Sequence, residues 1–334
     1  MWISDKWTEY ELLDCSDGER LERWGEYYLV RPDPQVIWRT PKEHPRWYTA
    51  DARYERSASG GGRWRKQSRE PQESRAQEEP RGPQEPRGQE VPQGPHESRE
   101  QEESREPQEP REQRIPASWL LRYGDLAFNV SLMNFKHTGL FPEQAVNWEY
   151  IKDKIGEAGR RISVLNLFAY TGGSTLAAAA AGADVCHVDA ARGMVQRARE
   201  NAAASGLQDR PVRWIVDDCG KFIEREIKRG RRYDALVMDP PSYGRGPSGE
   251  VWKLEDDIYD LMKLCAGVLS DAPLFVLINS YTTGLSPSTI AYMARSLLGG
   301  RAVSDELGLP VTSSGKGDAK SAALPCGAAC RWEP

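Results

Sequence analysis

The sequence predicts an α/β fold built on an open, mostly parallel sheet, preceded by a smaller β-rich unit. Three observations carry this reading. From Asn147 onward short apolar runs alternate with amphipathic stretches, the pattern of repeated strand–helix units. The apolar run Val164–Phe168 opens into Ala169-Tyr170-Thr171-Gly172-Gly173-Ser174-Thr175, a turn of small residues that leads into an alanine-rich helix. Successive strand candidates then end on acidic residues, at Asp189, Asp217-Asp218 and Asp239, at the carboxyl edge where open α/β sheets bind ligands.

Residues 1–64 are rich in Trp and Tyr, and Tyr27–Arg31 and Val36–Arg39 read as short strands around Pro32-Asp33-Pro34. These aromatics either fill a small core or stack on bases. Residues 65–114 repeat Glu-Pro, Pro-Gln-Glu and Ser-Arg-Glu units and hold almost no apolar side chains. Such a segment cannot bury enough surface to offset the entropy of ordering, so a disordered insertion is expected. Residues 115–146 resume the β-rich unit, with Leu126–Val130 its clearest strand. The remainder, 147–334, is expected to form the ligand-binding domain. Its strand candidates are Ile162–Phe168, Ala183–Asp189, Val212–Val216, Ala235–Asp239 and Leu274–Asn279. Helices are expected at Ser174–Ala181, Met194–Ser205, Gly220–Lys228, Ile258–Val268 and Ser288–Leu298, before two final strands around Ala302–Leu309 and Ala322–Cys330.

A chain of 334 residues accommodates two domains, and its net charge of −5 excludes a strongly basic nucleic-acid binder judged on total charge. The six cysteines are scattered, as expected for reduced core residues. Cys326 and Cys330 have the wrong spacing for a metal knuckle and no second pair, so no metal is expected. No apolar stretch approaches the roughly 20 residues of a membrane span, and Met1–Asp5 lacks a signal-peptide pattern; a cytoplasmic protein is the expectation.

The turn after Ile162–Phe168 carries the sharpest chemistry. Gly172 and Gly173 let the backbone approach a ligand closely, and the amide end of the following helix faces it. Asp189 is placed to accept both ribose hydroxyls of a nucleoside, and an acidic side chain of Asp217-Asp218 to take an adenine amino group. A dinucleotide dehydrogenase would carry G-x-G-x-x-G at this turn. The sequence Ala-Tyr-Thr-Gly-Gly-Ser seats a pyrophosphate poorly but suits S-adenosylmethionine, which has no phosphate.

Four runs, His137–Gln144, Leu167–Gly173, Asp239–Gly246 and Leu324–Gly327, make the chain from about Trp47 onward resemble a family of bacterial S-adenosylmethionine-dependent methyltransferases related to enzymes that methylate large-subunit ribosomal RNA. The resemblance implies a class I, Rossmann-like sheet of seven strands whose last strand is antiparallel. It implies that Phe168, Ala169, Thr171, Gly172 and Gly173 line the cofactor, that Asp189 holds its ribose and that Asp218 holds its adenine. It also implies that the His137–Gln144 run closes over the cofactor through Thr138, Phe141 and Gln144.

For the acceptor, carbon methylation of a pyrimidine would call for a cysteine in the loops after the fourth or fifth strand, and neither loop has one. Asp239-Pro240-Pro241-Ser242-Tyr243 is instead similar to the (Asp/Asn)-Pro-Pro-aromatic motif of amino-group methyltransferases. On that reading Asp239 and the Pro240 carbonyl accept hydrogen bonds from the target amino group, and Tyr243 or Tyr281 stacks on the base. Arg245, Lys316 and Lys320 are candidate phosphate contacts. RNA, ribosomal RNA in particular, is the expected partner. A methyltransferase acting on protein or a small molecule is the alternative, and a cofactor-binding module without catalysis would show damage at the turn or at Asp239.

Overall fold

The computed structural model describes residues 1–57, 61–66, 115–133, 136–245, 251–282, 284–312 and 322–334; apart from Arg65 and Lys66, the expected insertion lies outside them. The N-terminal strands are β1 (Trp2–Ile3), β2 (Tyr10–Ser16), β3 (Glu19–Trp24), β4 (Tyr27–Pro32), β5 (Ala52–Arg56), β6 (Gly62–Lys66), β7 (Trp119–Tyr123) and β8 (Leu126–Val130). There follow α1 (Ala145–Glu157), β9 (Ser163–Leu167), α2 (Gly173–Ala180), β10 (Asp184–Asp189), α3 (Arg192–Ala204), β11 (Val212–Val216), α4 (Cys219–Lys228) and β12 (Ala235–Met238). The last third holds β13 (Tyr243–Arg245), β14 (Val251–Lys253), α5 (Leu254–Ala266), β15 (Phe275–Ser280), α6 (Pro287–Leu298), β16 (Arg301–Pro310) and β17 (Ala323–Glu333).

The large sheet runs β1-β16-β17-β15-β12-β9-β10-β11. β9 to β12 and β15 are mutually parallel, and β17 lies antiparallel to both β15 and β16. This is the expected sheet with an eighth strand added, because β1 pairs in parallel with β16 at Trp2↔Leu307 and Ile3↔Gly308. Period-two alternation sorts the strand side chains between two layers. Val164, Val185, Val237 and Leu277 face the core on the α1–α2 side. Leu165, Cys186, Met238 and Ile278 face the α4–α6 side. Both faces are covered, so the central strands read as continuous apolar runs.

The N-terminal sheet runs β2-β3-β4-β5-β6, and β7–β8 forms a separate hairpin. The stretch Val36–Arg39, expected as a strand, is instead a loop. Its backbone takes two hydrogen bonds from the β2–β3 turn, Asp17 N to Trp38 O and Gly18 N to Val36 O, both 2.8 Å, too few for a ladder. Trp24, Leu121 and Phe128 share one apolar core with Trp148 and Ile151 of α1. The N-terminal strands and the large sheet accordingly belong to one compact unit, Met1–Gln67 with Ile115–Pro334.

The helix α1 was not foreseen, although Trp148, Ile151 and Ile155 recur at helical spacing and are buried. It sets the residue at the start of α2. A Cβ on Gly173 would lie 2.7 Å from Cζ2 of Trp148. Trp148 is locked between Phe128, at 5.1 Å between ring centroids, and Tyr123, at 5.6 Å. Gly173→Ala is therefore expected to destabilise the fold by about 1–3 kcal/mol, the usual cost of overpacking. Urea denaturation measures it, and an unchanged midpoint would contradict this packing.

Candidate active site

The segment from β9 into α2 has an alternating backbone. Phe168 (φ 52°), Tyr170 (φ 49°) and Gly172 (φ 90°) are left-handed. For the two residues with side chains this costs of order 1–3 kcal/mol each, and such conformations concentrate at ligand sites. Neighbours hold the turn in place. Cys219 Sγ accepts from Phe168 N at 3.3 Å, and Asp189 Oδ2 accepts from Tyr170 N at 2.8 Å. Asn201 Nδ2 donates to Thr171 O at 2.9 Å. The Thr171 hydroxyl donates to Gly139 O at 2.7 Å, which ties the turn to the His137–Gln144 segment.

Asp189 ends β10, and its Oδ1 accepts from Ala191 N at 2.8 Å. Both oxygens hold a backbone amide, and each keeps a further lone pair for a hydroxyl. Burial pushes this carboxyl above its ordinary value, opposed by those two amides. Asp218 caps α4, with Oδ1 accepting from Lys221 N at 2.9 Å. One of its oxygens thus serves the helix.

Two adjoining cavities meet at the turn. One, of about 40 Å³, lies between Gly172-Gly173 and the side chains of Phe141 and Gln144. The other, of about 260 Å³, is bounded by Phe141, Tyr170, Tyr281, His137, Asp239 and Pro240-Pro241. Phe141 stands 5.6 Å from Tyr170 and 5.5 Å from Tyr281 between ring centroids. The Tyr281 hydroxyl accepts from Gln144 Nε2 at 2.8 Å, and Gln144 Oε1 accepts from Asn147 Nδ2 at 2.9 Å. Asn147 also donates to Asn279 Oδ1 at 3.1 Å and accepts from Arg331 at 2.9 Å. The His137–Gln144 segment, the end of β15 and β17 are thereby linked through one chain of side-chain hydrogen bonds.

Asp239, just past β12, lies on both cavities. Burial, and secondarily the charge of Glu143, pushes its carboxyl up to about 7. Burial, with Arg31, Lys136 and Arg20 nearby, pushes His137 down to about 4, so it is neutral at pH 7. A carboxyl that titrates near neutrality beside an uncharged aromatic pocket suits proton acceptance.

Of the predicted site residues, Phe168, Ala169, Thr171, Gly172, Gly173, Phe141, Gln144, Asp239, Pro240 and Tyr281 come together at the two cavities. Thr138, on the His137–Gln144 segment, is buried but lines neither cavity, and its hydroxyl has no protein partner. Tyr243 is not brought in. It starts β13, opposite Lys253, and is 52% exposed. Ser242 adds a residue after the prolines, so the ring leaves the pocket, and Tyr281 takes the place beside Pro240. Arg245 pairs with Val251 on the same hairpin, and its side chain is outside the described part of the structure. Lys316 and Lys320 lie outside the described residues.

Trp252 was missed. Its indole N–H donates to Pro241 O at 2.6 Å, and its ring packs 6.0 Å from Phe168. No short-range pattern marks it, because the contact spans eleven residues and depends on the β13–β14 hairpin.

The donors and acceptors present fit S-adenosylmethionine. The amide end of α2 suits its carboxylate and Asp189 suits its ribose, and Gly172-Gly173 lines the smaller cavity at the start of α2.

A doubly wound sheet whose last strand, β17, is inserted antiparallel between β15 and β16, and this carboxyl-edge site, define a class I methyltransferase. The chain belongs to the S-adenosylmethionine-dependent methyltransferase family, whose model matches residues 111–288. The SAM-dependent methyltransferase from Agrobacterium tumefaciens is 33% identical, with a TM-score of 0.79 over 99% of this chain and 93% of its own. A methyltransferase-fold structure solved with SAH shares the fold at 17% identity and a TM-score of 0.65, covering 99% of this chain and 76% of its own. The ribosomal RNA large subunit methyltransferase K/L of Shewanella pealeana is 29% identical over 153 residues, 46% of this chain and 19% of that protein. The ribosomal RNA large subunit methyltransferase K of Neisseria meningitidis serogroup B is 31% identical over 137 residues, 41% of this chain and 36% of that protein. The match thus spans only a minor part of the length of these curated relatives. S-adenosylmethionine is the cofactor, and the chain is a methyltransferase.

Proposed function

We propose that the chain methylates an exocyclic or ring nitrogen of a base in RNA, ribosomal RNA first among candidates, in the cytoplasm. The observation that carries this is the placement of Asp239-Pro240 at the foot of an aromatic chamber of about 260 Å³ next to the cofactor turn. A chamber of that size takes a single extruded heterocycle rather than the edge of an intact duplex. The printed names of the curated relatives add weight to RNA.

In this reading Tyr281 and Phe141 sandwich the base. Asp239 accepts a hydrogen bond from the target nitrogen. The Pro241 carbonyl is engaged by Trp252, so the backbone acceptor falls to Pro240. The bound cofactor supplies an electrophilic methyl group. The protein's work is alignment, exclusion of water and acceptance of a proton. Neutral His137 adds no competing charge.

The test incubates the protein and tritiated S-adenosylmethionine with total RNA, ribosomal subunits, protein extract and a small-molecule fraction in parallel. Label recovered in N-methylated nucleosides is the expected result. Label confined to protein or small molecules would remove RNA as the acceptor, and label on pyrimidine carbon 5 would remove the nitrogen assignment.

A further inference from the structure

The run Asp239-Pro240-Pro241-Ser242 lines the acceptor chamber, and its two prolines carry no N–H. At those positions the run cannot anchor itself by donating its own amides, as an ordinary turn does. Its backbone is held there through its carbonyls, by donors from elsewhere. Two backbone bonds secure the ends: Asp239 N donates to Leu167 O at 3.4 Å, and Ser242 O accepts from Leu254 N at 3.1 Å. Between them a side-chain donor reaches in. The indole N–H of Trp252 lies 2.6 Å from Pro241 O.

Proline narrows what is left to hold. Its ring fixes φ at Pro240 and Pro241, and each residue before a proline is confined to extended backbone, so Asp239 and Pro240 have little freedom of their own. Fixing the Pro241 carbonyl therefore fixes the direction of the Pro240 carbonyl and of the Asp239 side chain. Trp252 is itself well placed to do this. It stands opposite Gly244 on the β13–β14 hairpin, and the next residue, Lys253, donates its N–H to Asp257 Oδ2 in the first turn of α5 at 2.8 Å. The same indole packs on Phe168, with ring centroids 6.0 Å apart and planes inclined at 38°. Phe168 is the first left-handed residue of the cofactor turn and lines both cavities. One side chain thus touches the acceptor run with its N–H and the cofactor turn with its ring.

We propose that Trp252 is a positioning residue that sets the acceptor run against the cofactor turn: its indole N–H holds the Pro241 carbonyl and, through the stiff Pro240-Pro241 pair, the Pro240 carbonyl and Asp239. This rests on the nitrogen-acceptor reading above. Trp252 makes no bond to the reacting atoms. Its effect is on alignment, and an in-line displacement tolerates little misplacement, a shift of about 1 Å costing on the order of 100-fold in rate. Loss of the indole donor is therefore expected to appear in kcat and to spare cofactor binding.

The test puts 3-benzothienylalanine, which has the shape of tryptophan with sulfur in place of the N–H, at position 252, and compares it with Trp252→Phe. Transfer from tritiated S-adenosylmethionine is followed to whichever acceptor fraction takes label. The sulfur analogue keeps the packing on Phe168. It is expected to lower kcat at least about tenfold, with acceptor KM and S-adenosylhomocysteine affinity within about twofold of wild type. Trp252→Phe also loses part of that packing, and is expected to weaken S-adenosylhomocysteine as well. For the analogue, a smaller loss of kcat, or a loss that falls on S-adenosylhomocysteine affinity instead, would overturn the proposal. A second measurement needs neither cofactor nor acceptor. In protein with isotope-labelled tryptophan, the Trp252 indole signal is assigned by its absence in Trp252→Phe. Its N–H is expected to exchange with solvent much more slowly than that of free N-acetyltryptophanamide, and exchange at the free rate would equally overturn the proposal. RNA can thus fail as the acceptor while the role of Trp252 stands, and the converse can also occur.

Discussion

Asp239→Asn is expected to lower kcat by about 10²–10⁴-fold, the usual contribution of a positioned base, while S-adenosylhomocysteine binds within a few-fold of wild type. Asparagine keeps one oxygen to orient the target nitrogen but cannot take its proton. The same substitution is expected to stabilise the fold at alkaline pH. The Asp239 carboxyl rises from an ordinary 3.8 to about 7 in the folded chain. The unfolded chain gives up this proton near pH 4, whereas the folded chain keeps it until pH 7. Ionisation therefore weakens the wild-type fold progressively between those values, and the full penalty stands above pH 7. Removing it is worth on the order of 2 kcal/mol, less than the whole shift because water and local relaxation reduce it. Thermal melts of both proteins from pH 4 to 9 measure it. Parallel curves across that range would show that Asp239 ionises normally.

The second large effect belongs to Asp189. Asp189→Ala removes the proposed ribose acceptor and strands the amides of Tyr170 and Ala191, which its two oxygens hold at 2.8 Å. Hydrogen bonds to a charged group are worth about 1.5–3 kcal/mol each, so loss of ribose binding predicts a 10²-fold or greater weakening for S-adenosylhomocysteine. Calorimetric titration gives that figure. Asp189→Asn still offers one oxygen and is expected to fall between. The alanine variant is also expected to melt lower, because Tyr170 loses the contact that holds its left-handed backbone. Unchanged affinity would remove Asp189 from the cofactor site.

The sheet was legible because buried parallel strands announce themselves. Ala235–Met238 and Phe275–Ser280 are wholly buried, and their runs contain almost nothing polar. The cofactor turn was legible only in company: a glycine turn after a strand is common in α/β proteins, and it was the acidic strand ends at Asp189, Asp217-Asp218 and Asp239 following in order that gave it meaning. The N-terminal sheet was harder. β3 reads Glu-Arg-Leu-Glu-Arg-Trp, yet Arg20 and Glu22 are buried. Partners from neighbouring strands and turns offset that burial, Arg31 and Tyr10 on Glu22 and Asp33 on Arg20, and such pairing is not visible in a local window. Trp252 escaped for the same reason: its partner, Pro241, lies eleven residues away. The tyrosine assignment turned on one residue: local similarity favoured Tyr243, and the extra Ser242 sends it outward while Tyr281 arrives from β15.

The shared apolar core carries one further consequence. Trp24, Leu121 and Phe128 pack with Trp148 and Ile151 in a continuous hydrophobic body. Cutting the chain at Asn147 would strip α1 of its cover and leave the face of a tryptophan-bearing helix in water. The two lobes therefore melt as a single cooperative body, and the N-terminal lobe is a thermodynamic part of the catalytic lobe rather than an appendage. A substitution deep in β3 or β7 would then be felt at the cofactor turn as a change in the fraction of molecules folded, with no contact to the ligand at all.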